Sequence, residues 1–115
     1  MALRLKRVYD DPDDTDGFRV LVDRLWPRGV TKERAAVDLW LKDVAPSPEL
    51  RTEWHHHQDR FVEFADHYRA ELAQNPATAE VRELIATHPT VTLLYGSKDR
   101  EANHALVLKG FLESA

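Results

Sequence analysis

With 115 residues, 43% of them hydrophobic, the chain is long enough to bury one core and too short for two, so a single domain over residues 1–115 is expected. Its 16 Lys and Arg stand against 20 Asp and Glu, a formal net charge of -4, so no general field draws nucleic acid or an anionic membrane and any anion affinity must be local. The absence of cysteine excludes disulfides, thiolate metal sites and thiol nucleophiles.

No segment approaches the roughly 20 apolar residues that cross a bilayer, and the N-terminus MALRLKRVYD lacks the apolar stretch of a signal peptide, so a cytoplasmic protein is expected. Leu3 to Tyr9 alternates imperfectly and reads as a strand. The acidic run from Asp10 to Gly17 reads as a solvated loop. Phe18 to Trp26 carries Val20-Leu21-Val22, the continuous apolar run of a strand buried on both faces. The loop is too short for a helical crossover, so these two strands are antiparallel if they pair directly.

Thr31 is an N-cap for a short helix through Ala36, followed by an extended piece from Leu39 to Lys42. Ser47-Pro48-Glu49 starts a helix to about His57, because serine accepts backbone N–H groups, proline sits where a missing donor costs nothing, and glutamate meets the positive dipole end. Phe61, Phe64, Ala65, Tyr68 and Leu72 form a helical stripe that stops near Asn75-Pro76. A further helix spans Ala77 to Thr87. After His88-Pro89, Thr90 to Tyr95 is β-branched and apolar and is expected as the central strand. Gly96 to Asp99 forms a turn with Ser97 or Asp99 as cap, and Glu101 to Glu113 a last helix burying Ala105, Leu108, Phe111 and Leu112. The fold class is α/β: a small mixed, partly parallel sheet covered by helices in three layers.

In open α/β sheets ligands bind beyond the carboxyl ends of the strands, and this chain puts Pro27-Arg28-Gly29 and Gly96-Ser97-Lys98 there. A glycine turn with a cationic side chain and a helix N-terminus suits an anion; two ordinary surface turns have the same spacing. If alternation holds, Asp23 and Arg24 point to opposite faces of their strand, Asp23 serving either as a structural ion-pair partner or as a base. Trp26 offers a wall to a cleft, whereas Trp40 and Trp54 read as core or core rim. Consecutive His55-His56-His57 are about 100° apart on a helix and make a poor ligand set, so no metal site is expected. His104 either fastens the last helix or transfers a proton, and Asn103 either binds a ligand or caps backbone.

KRVYD at Lys6 to Asp10, LVDRLWPRG at Leu21 to Gly29, Trp40 with Lys42, PSPELR at Pro46 to Arg51, and LLYGSKDREANHALVL at Leu93 to Leu108 together resemble the bacterial and archaeal domain-of-unknown-function family 488, in its short YeaO-like branch. The resemblance implies a compact α/β fold and singles out Asp23, Arg24, Pro27, Arg28, Gly29, Ser47, Arg51, Lys98, Asn103 and His104 as motif positions. Longer relatives look similar at the strand end, with an Asp-x-Arg pattern and a proline, and many carry a Cys-His-Arg triplet early in the last helix. Here that stretch reads Asn103-His104-Ala105, so thiol chemistry does not carry over and the histidine alone remains.

The expected function is therefore binding of, and possible action upon, a small anionic or phosphate-bearing molecule, with no cofactor. Asp23 and His104 are the catalytic candidates; Arg24, Trp26, Arg28, Arg51, Lys98 and Asn103 are the ligand-binding ones. The alternatives are a nucleic-acid-associated module, which the net acidity opposes, and a protein-interaction domain without chemistry.

Overall fold

The computed structural model of the protein describes residues 2–57 and 59–114. Four strands, β1 (Ala2–Arg7), β2 (Phe18–Leu21), β3 (Leu39–Trp40) and β4 (Thr90–Tyr95), form one sheet in the order β1-β4-β2-β3. Five helices accompany them: α1 (Lys32–Ala35), α2 (Pro48–His56), α3 (Phe61–Gln74), α4 (Pro76–Thr87) and α5 (His104–Glu113). The α/β class is as expected, and β4 is central. The parallel pairing foreseen for part of the sheet holds for all three ladders. β1 and β2 do not pair directly, because β4 lies between them.

Residues 8–17 therefore carry the chain from the end of β1 back to the start of β2 without an α-helix. A six-residue strand rises roughly 20 Å, and ten residues reach at most about 33 Å, so the return is possible only on a nearly direct path. The strand register shows what guides it. Arg4, Thr92 and Arg19 lie side by side in one row across the sheet, and Lys6, Leu94 and Leu21 in the next. On β1 the alternating Leu3 and Leu5 pack into the large core on the opposite face.

The acidic run is exposed from Asp11 to Thr15, as its composition predicts, but Asp16 is not. Its last turn, Asp14–Asp16, is a 3-10 helix capped by Asp13, and Asp16 is only 4% exposed. Asp16 accepts from Lys6 Nζ at 3.1 Å and from the Asp13 amide at 3.0 Å, and it pairs with the buried Arg19 guanidinium. Thr92 Oγ1 donates to its carbonyl oxygen at 2.6 Å, and Arg4 reaches the Thr15 carbonyl. Arg19 also donates to the carbonyls of Ala35 and Ala36, at the end of α1. One polar cluster thus closes the loop, the sheet and the first crossover together.

The two sheet faces differ in cover. Val20, Val22, Val91, Leu93 and Tyr95 pack under α2 to α5 in the main core, where each fully buried leucine contributes about 2 kcal/mol. Val8, Leu21, Ala35 and Leu94 form a smaller core beneath α1 and the partly buried Trp26, Val30 and Val37. The continuous Val20-Leu21-Val22 run feeds both cores, as a strand buried on both faces must. The end helix begins later than its pattern implies, at His104, because Asn103 rather than Ser97 or Asp99 is its N-cap.

Burial pushes the Asp16 carboxyl up, but the Asp13 amide, Lys6 and Arg19 outweigh it and hold it below the ordinary value of 3.8. A carboxyl lowered by folding contributes stability that is fully present above the unfolded value and is lost as pH falls through the folded one. Asp16→Asn should cost roughly 3 kcal/mol at neutral pH by leaving Arg19 buried without its charge partner, and should flatten the decline of stability below about pH 4, measured by urea unfolding across pH. Gly17 sits at φ 66°, ψ -134°, and a Cβ there would lie 2.4 Å from the Thr90 carbonyl oxygen. Gly17→Ala should destabilise by about 2 kcal/mol or more in the same assay.

Candidate functional site

β2 ends at Leu21, and the last link to β4 is the Val22 amide donating to the Leu94 carbonyl at 3.1 Å. Beyond it the pleat no longer dictates direction. Asp23 and Arg24, expected on opposite faces, therefore both line one cleft of about 340 Å³ at the carboxyl ends of β2 and β4. Strand alternation does not reach them.

Asp23 joins three elements. Its Oδ2 accepts the Gly96 amide at 2.8 Å, which binds the end of β2 to the turn after β4, and its carbonyl accepts Trp40 Nε1 at 2.7 Å. A Cβ on Gly96 would approach Oδ2 to 2.9 Å, so this turn is tight against the carboxylate. His104, the first residue of α5, holds Nε2 3.1 Å from both the Val22 carbonyl oxygen and Asp23 Oδ1. A carbonyl can only accept, so Nε2 carries the hydrogen and donates it there. Oδ1 is left in electrostatic contact with the ring, buried and without a hydrogen-bond partner in the protein.

The other wall is α2. Ser47 accepts the Leu50 amide, while its own amide and hydroxyl donate to Glu71 of α3, which fixes where α2 begins. Arg24 donates to the carbonyls of Ala45 and Pro46 at 3.3 Å, tying the same entry to the strand end. Arg51, Trp54 and His55 are spaced i, i+3, i+4 and so share a helix face, and all three line the cleft. The Trp54 ring stacks on Phe64 at 4.2 Å between centroids, and its Nε1 is buried with no hydrogen-bond partner in the protein. Tyr68, behind His104 with ring centroids 6.2 Å apart, donates to the Val44 carbonyl. Burial, with Glu71 and Asp23 nearby, pushes its phenol well above the ordinary value, which keeps it a neutral donor.

The cleft thus gathers Asp23, Arg24, Arg51 and His104, four of the residues singled out from the sequence. It does not gather the other four. Trp26 donates to the Val30 carbonyl and packs on the smaller core. Arg28 and Lys98 are exposed outside the cleft. Asn103 is fully buried and spent on backbone: its Oδ1 accepts the Leu106 amide and its Nδ2 donates to the Asp99 carbonyl. Sequence reasoning missed Trp54 and His55 as wall residues, although the spacing from Arg51 was visible. Ser97 and Asp99 also line the cleft, where Ser97 Oγ accepts the Asp99 amide.

A second cavity, between Trp54, His57, Arg60 and His67, holds about 20 Å³, room for a single water. Among the described residues no three His, Asp or Glu side chains converge on a point where a metal ion would sit.

A parallel α/β protein with a mixed-charge cleft at its strand ends is the class that fold and site define. The chain belongs to domain-of-unknown-function family 488: the model of the subclade DUF488-N3i, described as "Inactive DUF488-N3 subclade", matches residues 2–115. It is 45% identical over 114 residues to "Uncharacterized protein YeaO" of Escherichia coli (strain K12), covering 99% of both chains. It is 49% identical over 111 residues to "Uncharacterized protein Rv3073c" of Mycobacterium tuberculosis and to "Uncharacterized protein Mb3100c" of Mycobacterium bovis, covering 96% of this chain and 92% of each relative. No solved structure matches.

Asn103→Ala removes the α5 cap and the bond to Asp99. It should lower stability by about 1 to 2 kcal/mol in chemical denaturation, and should displace His104 enough to broaden its imidazole resonances in proton NMR.

Proposed function

We propose that the strand-end cleft binds a small anionic molecule, such as a phosphate-bearing metabolite, without transforming it. The observation that carries this reading is the α2 wall, where Arg51 is exposed and forms no ion pair among the described residues, with His55 one turn further on. The Arg24 charge adds to the potential at the base, although its donors are committed to carbonyls. A planar guanidinium with all its donors uncommitted suits a carboxylate or phosphate, and low-dielectric walls strengthen that contact.

The absence of turnover in this reading rests on how the polar groups are used. His104 spends its Nε2 hydrogen on a backbone carbonyl, and Ser97 Oγ bonds the Asp99 amide rather than a base. A nucleophile activated by a base within hydrogen-bond reach, the requirement for covalent catalysis, is not assembled among the described residues. The description of the matching subclade as inactive agrees with this.

A thermal-shift series with phosphate, sulfate and nucleotides tests the reading. At least one anion should raise the melting temperature of the wild type, and Arg51→Ala should weaken that ligand about tenfold or more while leaving the ligand-free melting temperature unchanged. A wild type stabilised by none of these anions refutes the proposal.

A further inference from the structure

Six charge-bearing side chains line the strand-end cleft: Asp23, Asp99, Arg24, Arg51, His55 and His104. Its two carboxylates and two guanidiniums cancel, so with both imidazoles neutral the cleft holds no net charge to offer an anion. A net positive potential there requires a proton on a histidine. Which histidine carries it decides how the cleft binds.

The two histidines differ in their surroundings. His104 donates its Nε2 hydrogen to the Val22 carbonyl and stands 3.1 Å from Asp23 Oδ1, so a charge on its ring is spent on that carboxylate. His55 is exposed and makes no hydrogen bond or ion pair among the described residues. It follows Arg51 by four residues on α2, which makes the two side chains neighbours on the face that lines the cleft. Across the cleft, Asp23 Oδ2 is held by the Gly96 amide, Asp99 Oδ1 by the Glu101 and Ala102 amides, and Arg24 by the carbonyls of Ala45 and Pro46. On α2 and the neighbouring α3, Glu53, Glu63 and His67 line the separate small cavity with Arg60, and Glu71 is bonded to Ser47. Asp59, four residues on from His55, lies beyond the end of α2.

We infer that His55 is the second anion contact of this cleft and binds as the imidazolium, so that the ligand is taken up together with a proton. The inference rests on the anion-binding reading and adds its dependence on pH. Arg51 supplies the permanent charge and His55 the one that pH controls. Doubly charged tetrahedral oxyanions, the phosphate monoester and sulfate class, match this pair, since adjacent cationic donors on one helix face meet two oxygens of one group. Affinity is full where the imidazole is charged and is lost as pH rises through about 5 to 8, the range in which histidine titrates.

Isothermal titration with sulfate, whose charge is constant over this range, tests the inference at about pH 5.5 and about pH 8. Wild type should bind at least about fivefold more tightly at the lower pH, the effect of one charge-assisted contact at an open site. His55→Gln should bind weakly at both pH values and His55→Lys tightly at both, each with the wild-type melting temperature because the position is exposed. Equal sulfate affinity of wild type at the two pH values, or a pH dependence that survives in His55→Gln, overturns the inference and leaves the anion reading standing. No sulfate binding at either pH also overturns it, and the anion reading falls with it only if phosphate and nucleotides fail to bind as well.

Discussion

The buried pair of Asp16 and Arg19 is the contact on which the rest of the molecule depends. A parallel sheet is normally buried on both faces by apolar side chains, yet the register here places Arg4, Thr92 and Arg19 in one row beside the strand centre. Arg19 is 4% exposed and cannot reach water. The carboxylate that answers it comes from the acidic loop, and the same loop is the only chain available to return from β1 to β2. Pairing the charge and closing the topology are one event. Because Arg19 extends to the last carbonyls of α1, the crossover that delivers β3 is anchored by the same guanidinium.

The cleft follows from the opposite end of the sheet by a similar economy of parts. Parallel strands finish together, so β2 and β4 deliver Asp23 and the Gly96 turn to one edge, and the Oδ2 bond between them sets the floor. α5 then contributes its first residue, and α2 the face that carries Arg51, Trp54 and His55. Asn103 places His104 over the strand end, and Ser47 with Glu71 places Arg51 and Trp54 across from it. Most polar groups near the site are consumed in this assembly. Among the described residues of the cleft, the exposed Arg51 guanidinium is left without an ion pair.

Several parts of this arrangement were legible without coordinates. The Ser47-Pro48-Glu49 start, the helical stripe from Phe61 to Leu72, and the strand Thr90 to Tyr95 rest on local chemistry, namely capping, 3.6-residue spacing and β-branching, and each forms where that chemistry placed it. The strand run Phe18 to Trp26 was overextended, because apolar character persists through Val22 and Leu25 while the hydrogen-bond ladder ends with Leu94. That error produced the opposite-face assignment for Asp23 and Arg24. Composition alone marks Asp16 as solvated like the rest of the acidic run, and only its pairing with the buried Arg19 distinguishes it.

The sequence by itself determined the starts of α1 and α2, the strand interiors and the family, since these are carried by residues that are neighbours along the chain. Tertiary structure alone decided the insertion of β4 between β1 and β2, the exchange of Trp26 for Trp54 as cleft wall, and the use of Asn103 as a cap rather than a contact. Those outcomes depend on which polar atoms find partners far away in sequence. Arg28 and Asp23 show the difference: both are charged residues in the segment that follows β2, and what separates them is that the Gly96 amide lies 2.8 Å from Asp23 Oδ2, whereas Arg28 is exposed.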